Sequence, residues 1–137
     1  MTVVVAAAIV DGSPPRVLGA QRTYPAELAG FWELPGGKVH AGEADLDALV
    51  RECREELGVT IAATTRVCDD VTVAPDTVVR VWWARLAEGE PSAREHAQLR
   101  WLRLEQLDEV SWLPSDAPVM AAVRAGWPGT PAEQRLS

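Results

Sequence analysis

The sequence predicts an α/β fold, a mixed β-sheet flanked by helices, from three observations. Apolar runs rich in β-branched residues lie on both sides of one strongly marked helix, Glu43 to Leu57. A second helical pattern, Pro118 to Ala125, stands near the end of the chain. The 137 residues, 47% hydrophobic and 24% charged, have the size and composition of one globular domain. Strands interspersed with amphipathic helices bury their apolar faces best as layers, with helices over the sheet.

The elements follow in order. Val3 to Val10 is apolar and β-branched, and it stops at the turn residues Asp11-Gly12-Ser13-Pro14-Pro15. Arg16 to Gln21 resumes as a second strand, so the opening reads as a hairpin. Tyr24 to Trp32 is a loop, and Pro35-Gly36-Gly37 marks a turn. In the long helix Leu46, Leu49, Val50, Cys53 and Leu57 recur at helical spacing, with Gly42 as the expected N-cap and Gly58 as the left-handed C-terminal residue. Val59 to Val73 and Thr77 to Ala87 bracket Ala74-Pro75-Asp76 as a long antiparallel hairpin, and Leu99 to Leu104 is a further short strand. No repeat or low-complexity linker interrupts the chain.

Charge and composition exclude several functions. The net charge of −7 repels a phosphate backbone, which argues against a nucleic-acid polymer as partner. No run of about 18 apolar residues exists to span a membrane. Met1-Thr2-Val3-Val4-Val5 reads as a strand rather than a signal peptide, and Cys53 and Cys68 are too few for a disulfide or zinc framework. The expected location is therefore cytoplasmic.

The acids are unevenly spread. Six of them (Glu43, Asp45, Asp47, Glu52, Glu55, Glu56) stand against two bases, Arg51 and Arg54, within one short stretch. Glu52, Glu55 and Glu56 share one helical arc about 100° wide. Like charges at this spacing cost a few tenths of a kcal/mol per pair, and the helix C-terminus disfavours anions. The arrangement is either a solvated acidic face or a site for hard cations, and carboxylate donors point to Mg²⁺ or Mn²⁺ rather than zinc.

From Gly37 the chain reads Gly37, five residues, Glu43, seven residues, then Arg51-Glu52-Cys53-Arg54-Glu55-Glu56-Leu57-Gly58-Val59. This resembles the Nudix box, with all seven fixed positions matched, which chance produces about once in 10⁸ windows. The departure is Cys53 at an aliphatic position, where a buried thiol acts as a small hydrophobe. Gly30 to Val39, Gln21-Arg22, Gly89-Glu90-Pro91 through Glu95-His96, Leu99, Trp101 and Trp112 to Asp116 are similar to MutT-type members, most of all the CTP pyrophosphohydrolases.

The resemblance implies one Nudix domain over 1–137 (box 37–59), the family's α/β/α sandwich, and Mg²⁺-dependent hydrolysis of a nucleoside triphosphate to monophosphate and pyrophosphate. It implies Glu52, Glu55, Glu56, Glu95 and the Gly36 carbonyl as metal ligands. Glu52, Glu55, Glu95 and Arg51 stand as the catalytic set, Glu43 as a loop brace, and Arg22, Glu33, Leu34 and Asp116 at the substrate. Cytosine nucleotides (CTP, dCTP, 5-methyl-dCTP) are the expected substrates, with 8-oxo-dGTP the alternative. ADP-ribose hydrolysis, suggested by Pro75, and a non-catalytic nucleotide-binding module rank lower. The partner is a small nucleotide, and the chain is a monomer or a homodimer.

Some residues keep two readings. Glu95 is either a solvated loop acid or a metal ligand or general base. Asp116 either reads the base edge or caps the last helix. His96 has no partner at metal-ligand spacing and reads as structural. Trp101 and Trp112 are assigned to the core, and Trp32, Trp82 or Trp83 to stacking on a base.

Overall fold

The computed structural model describes residues 1–129, so the last residues of the expected domain, 130–137, lie outside the described residues. Strand β1 (Thr2–Asp11) turns into β2 (Arg16–Gln21) as an antiparallel hairpin, as its punctuation predicts. Two short strands, β3 (Trp32–Glu33) and β4 (Gly36–Lys38), precede helix α1 (Asp45–Leu57). Strands β5 (Thr60–Arg66), β6 (Val71–Ala74), β7 (Thr77–Glu88) and β8 (Gln98–Arg103) follow, and helix α2 spans Ala117–Ala125. A 3₁₀ segment, Leu104–Glu109, lies between β8 and α2.

All eight strands belong to one mixed sheet, with the path β3-β2-β1-β7-β5. β1 and β7 run parallel from Thr2↔Thr77 to Val10↔Arg85. β1 also pairs with β4 near its start and with β2 at its end. The two partners fork along one side of β1, and a cleft lies beside that fork.

Alternation along β1 builds two cores, because successive side chains in a strand point to opposite faces. Val5, Ala7 and Ile9 pack with Leu49, Cys53 and Leu57 of α1. Ala6 and Ala8 share the other face with Val119, Met120 and Val123 of α2. Helices therefore cover both faces of the mixed sheet, as the sequence predicts.

Several details differ from the sequence reading; Gly36 and Gly37, expected in a turn, lie in β4 and pair with β1. Helix α1 starts later than expected, with Ala44 rather than Gly42 as N-cap, because His40 and Glu43 close a turn of their own. Leu46 is 45% exposed, so Ala48 rather than Leu46 completes the apolar stripe. The long hairpin is broken in its first arm, where β5 and β6 pair separately with β7 and the register shifts. At the C-terminus of α1, Gly58 adopts φ 74°, the left-handed conformation that glycine accepts without a Cβ penalty, and its N–H donates to the Arg54 carbonyl.

Candidate active site

Helix α1 carries the acidic arc of the box, and its three glutamates meet different surroundings. Glu56 is 8% exposed, the one charged residue in the core among the described residues. Its Oε2 accepts a 3.3 Å hydrogen bond from the Gly36 N–H. Burial pushes its carboxyl up to about 7; His96 and the Gly36 N–H oppose that rise, and Glu52 and Glu33 add to it. Burying a carboxylate with so little compensation costs free energy that a cation would remove.

Glu52 lies against the backbone of Gly37, so closely that a methyl group there would run into its carboxylate. Arg51 holds the acids around it. Its Nε and Nη2 donate to Glu43 at 2.8 and 3.0 Å, and its Nη1 donates to Glu52 at 2.9 Å and Glu55 at 3.3 Å. The guanidinium and the His40 N–H hold the Glu43 carboxyl down at about 2. Arg51 also donates to the Lys38 carbonyl, which ties α1 to β4. Glu55 points to solvent, with its side chain 56% exposed.

Among the described residues, no three acidic, histidine or cysteine side chains converge into a cation cage as they stand. The chemistry of the donors still fits a hard divalent ion. They are carboxylates beside a backbone carbonyl, and Glu56 is buried without a charge partner at ion-pair distance among the described residues. The Cys53 thiol is not part of this set, since burial, reinforced by Glu56 and Glu52, pushes it up to about 12.

A cleft of about 370 Å³ runs from Glu56 and Gly36 to Asp116. Leu34, 6% exposed, lines it together with Val73, Val79 and Leu113. Arg22 and Glu33 also line it and pair with each other at 2.9 Å. The second Glu33 oxygen accepts from His96 Nε2 at 2.9 Å. Asp116 holds the N-cap position of α2, but its carboxylate makes no cap hydrogen bond and lines the cleft instead. Burial pushes Asp116 up to about 6, Glu33 adds to the rise and Arg22 opposes it.

A smaller cavity of about 50 Å³ adjoins, and Glu95, His96 and Glu56 are among its walls. The polar loop 89–97 thus brings Glu95 to the same cavity as Glu56 of α1.

The tryptophan assignments need correction. Trp32 is 6% exposed and packed in the interior, so it is not free to stack on a base. Trp82 and Trp83 pack against the two cores, and among the described residues no tryptophan lines the cleft. Trp101 packs half-buried against the core on the α1 face, as the sequence predicts, with the Arg16 guanidinium 4.9 Å from its ring centre. The aromatic at the cleft is Tyr24, 64% exposed, which the sequence reading passed over. His96 was assigned to structure alone, yet its ring lies at the site and engages Glu33. Its position directly after Glu95 was the available signal.

Comparison with known proteins agrees with this fold. The NUDIX domain family matches residues 1–123. A Mycobacterium tuberculosis protein with the provisional name 8-oxo-dGTP diphosphatase 2 is 49% identical over 117 residues, covering 83% of this chain and 82% of the relative. The CTP pyrophosphohydrolase of Escherichia coli is 33% identical over 131 residues, covering 94% of this chain and 96% of the relative. The crystal structure of a MutT NUDIX hydrolase from Burkholderia pseudomallei superposes with a TM-score of 0.69 at 34% identity, covering 88% and 94% of the two chains.

Proposed function

The chain belongs to the Nudix hydrolase family, and on that premise we propose that it is a Mg²⁺-dependent nucleoside triphosphate pyrophosphohydrolase with cytosine nucleotides as its first substrates. The observation that carries the reading is Glu56, a buried carboxylate without an ion-pair partner among the described residues, in the same cleft as Asp116. Its pocket joins a charge that calls for a cation to a carboxylate that can read a base.

Mg²⁺ held by Glu52, Glu55, Glu56, Glu95 and the Gly36 carbonyl would neutralise the phosphates and make water more acidic. Arg51 keeps Glu52 and Glu55 in place through its Nη1. Glu95, exposed and without a side-chain partner among the described residues, accepts the proton of the attacking water. The water oxygen bonds to the β-phosphorus, and the bond from that phosphorus to the α–β bridging oxygen breaks. The nucleoside monophosphate leaves with that oxygen, and the other product is pyrophosphate.

Asp116, ionised above about pH 6, accepts a hydrogen bond from the cytosine amino group. An N–H of 8-oxoguanine is an equally good donor. The 49% identity to a protein named as an 8-oxo-dGTP diphosphatase supports that second reading. Pro75 lies in the turn between β6 and β7, a place that needs no functional explanation.

The test is product release from CTP, dCTP, 5-methyl-dCTP, 8-oxo-dGTP and ADP-ribose, with and without Mg²⁺. Cytosine triphosphates are expected to lead, with no turnover without metal. A preference for 8-oxo-dGTP would establish the second reading, and hydrolysis of ADP-ribose alone would overturn both.

A further inference from the structure

Glu95 has a demanding task on a support that holds its backbone and not its side chain: Thr23 Oγ1 donates to its carbonyl at 3.1 Å, and the Ala97 N–H donates to the Gln21 carbonyl at 2.9 Å. Glu95 is exposed, it sits on a loop without regular structure, and among the described residues nothing bonds its carboxylate. A general base must be held within hydrogen-bond reach of its water, so the loop itself has to be fixed.

The loop is anchored on both sides of Glu95. Before it, the Ser92 N–H donates to the Leu57 carbonyl at 3.0 Å, and Arg94 Nη1 donates to the Arg54 carbonyl at 3.3 Å, at the end of α1. These anchors are exposed. After it, His96 is buried, with its side chain 5% exposed, and Nε2 meets Glu33 Oε2 at 2.9 Å. A carboxylate only accepts, so Nε2 carries the proton and donates. Glu33 is itself fixed by Arg22. The chain Arg22–Glu33–His96 therefore joins β3 to the residue next to Glu95. Among the described residues His96 Nδ1 is buried without a partner, so the ring is held through Nε2 and by packing.

We propose that His96 is a positioning residue for Glu95, fixing the loop through its hydrogen bond to Glu33 so that the Glu95 carboxylate stands over the reacting water. The inference rests on the reading of Glu95 as general base. His96 does not touch the substrate in this role; it acts through its neighbour.

A double-mutant cycle tests it, with kcat and KM measured on CTP, or on whichever nucleotide turns over fastest, at saturating Mg²⁺. His96→Leu removes the donor and is expected to lower kcat about tenfold, with KM changed by less than about twofold. The same substitution in a Glu95→Gln background is expected to cost nothing further. His96→Gln, whose amide nitrogen reaches where Nε2 did, is expected to restore most of the rate. If His96→Leu does not fold, as judged by its melting curve, His96→Asn takes its place, since its shorter amide falls short of Glu33. Equal losses in both backgrounds, an effect confined to KM, or failure of His96→Gln to recover would overturn the proposal. A full rate in Glu95→Gln alone would instead overturn the reading of Glu95.

Discussion

Asp116→Ala separates recognition from capping, because the two roles predict opposite signs. The carboxyl sits at about 6 against an ordinary 3.8, raised by burial. An acid whose folded value is raised favours folding fully below the unfolded value, and that contribution disappears as pH rises through the folded value. The window here is pH 3.8 to about 6. A shift of two units corresponds to at most about 3 kcal/mol, and about 1–2 kcal/mol after relaxation. Asp116→Ala should therefore stabilise the substrate-free protein by that amount at pH 7.5 and by only a small part of it at pH 4, near the foot of the window. A capping carboxylate would do the reverse, costing about 1 kcal/mol when lost. Recognition should suffer while stability improves. Losing a hydrogen bond to a charged acceptor costs about 1.5–3 kcal/mol, roughly 10- to 150-fold in kcat/KM. The loss falls on CTP, while UTP, which presents no amino donor, changes little. Melting temperatures at pH 4 and 7.5, with kcat/KM for CTP and UTP, decide the matter. A uniform loss across bases, together with a lower melting temperature at pH 7.5, would refute base reading by Asp116.

The other predictions concern the box. Glu56→Gln should lower turnover by about 10²-fold or more. Mg²⁺ should then raise the melting temperature of the wild type and not of the variant. Gly37→Ala places a methyl against the Glu52 carboxylate, the movable end of a side chain, so the fold should persist while kcat falls about tenfold or more. Circular dichroism and steady-state rates measured together check this. Gly58→Ala forces φ 74° on a residue with a Cβ, and that Cβ would come within 2.6 Å of Arg94 Nη2, so chemical denaturation should show a loss of about 1–2 kcal/mol.

What the sequence makes legible depends on how far apart the interacting residues are. β1, β2, α1, β7, β8 and α2 each carry a periodic pattern that a short window can read. β3 and β4 have two and three residues, with prolines or glycines close by, and only their pairing to β2 and β1 makes them strands. Gly42 stands where an N-cap is expected, while the turn that His40 and Glu43 close with each other delays the helix to Asp45.

The same division runs through the site. Three glutamates near a helix C-terminus conflict with local stability, and such a conflict is visible without a structure. The surroundings of Glu33 are not. Its partners Arg22 and His96 lie 11 and 63 positions away, and Asp116, whose charge Glu33 opposes, comes from a different element again. No periodicity encodes such a meeting; it requires β3 to lie beside β2 and the loop 89–97 to return to the same edge through β8. The acidic arc on one helix is thus legible as a candidate cation site. The pairing of Glu33 with Arg22 and His96, and the approach of Glu95 to Glu56, depend on contacts that exist only once the sheet has formed.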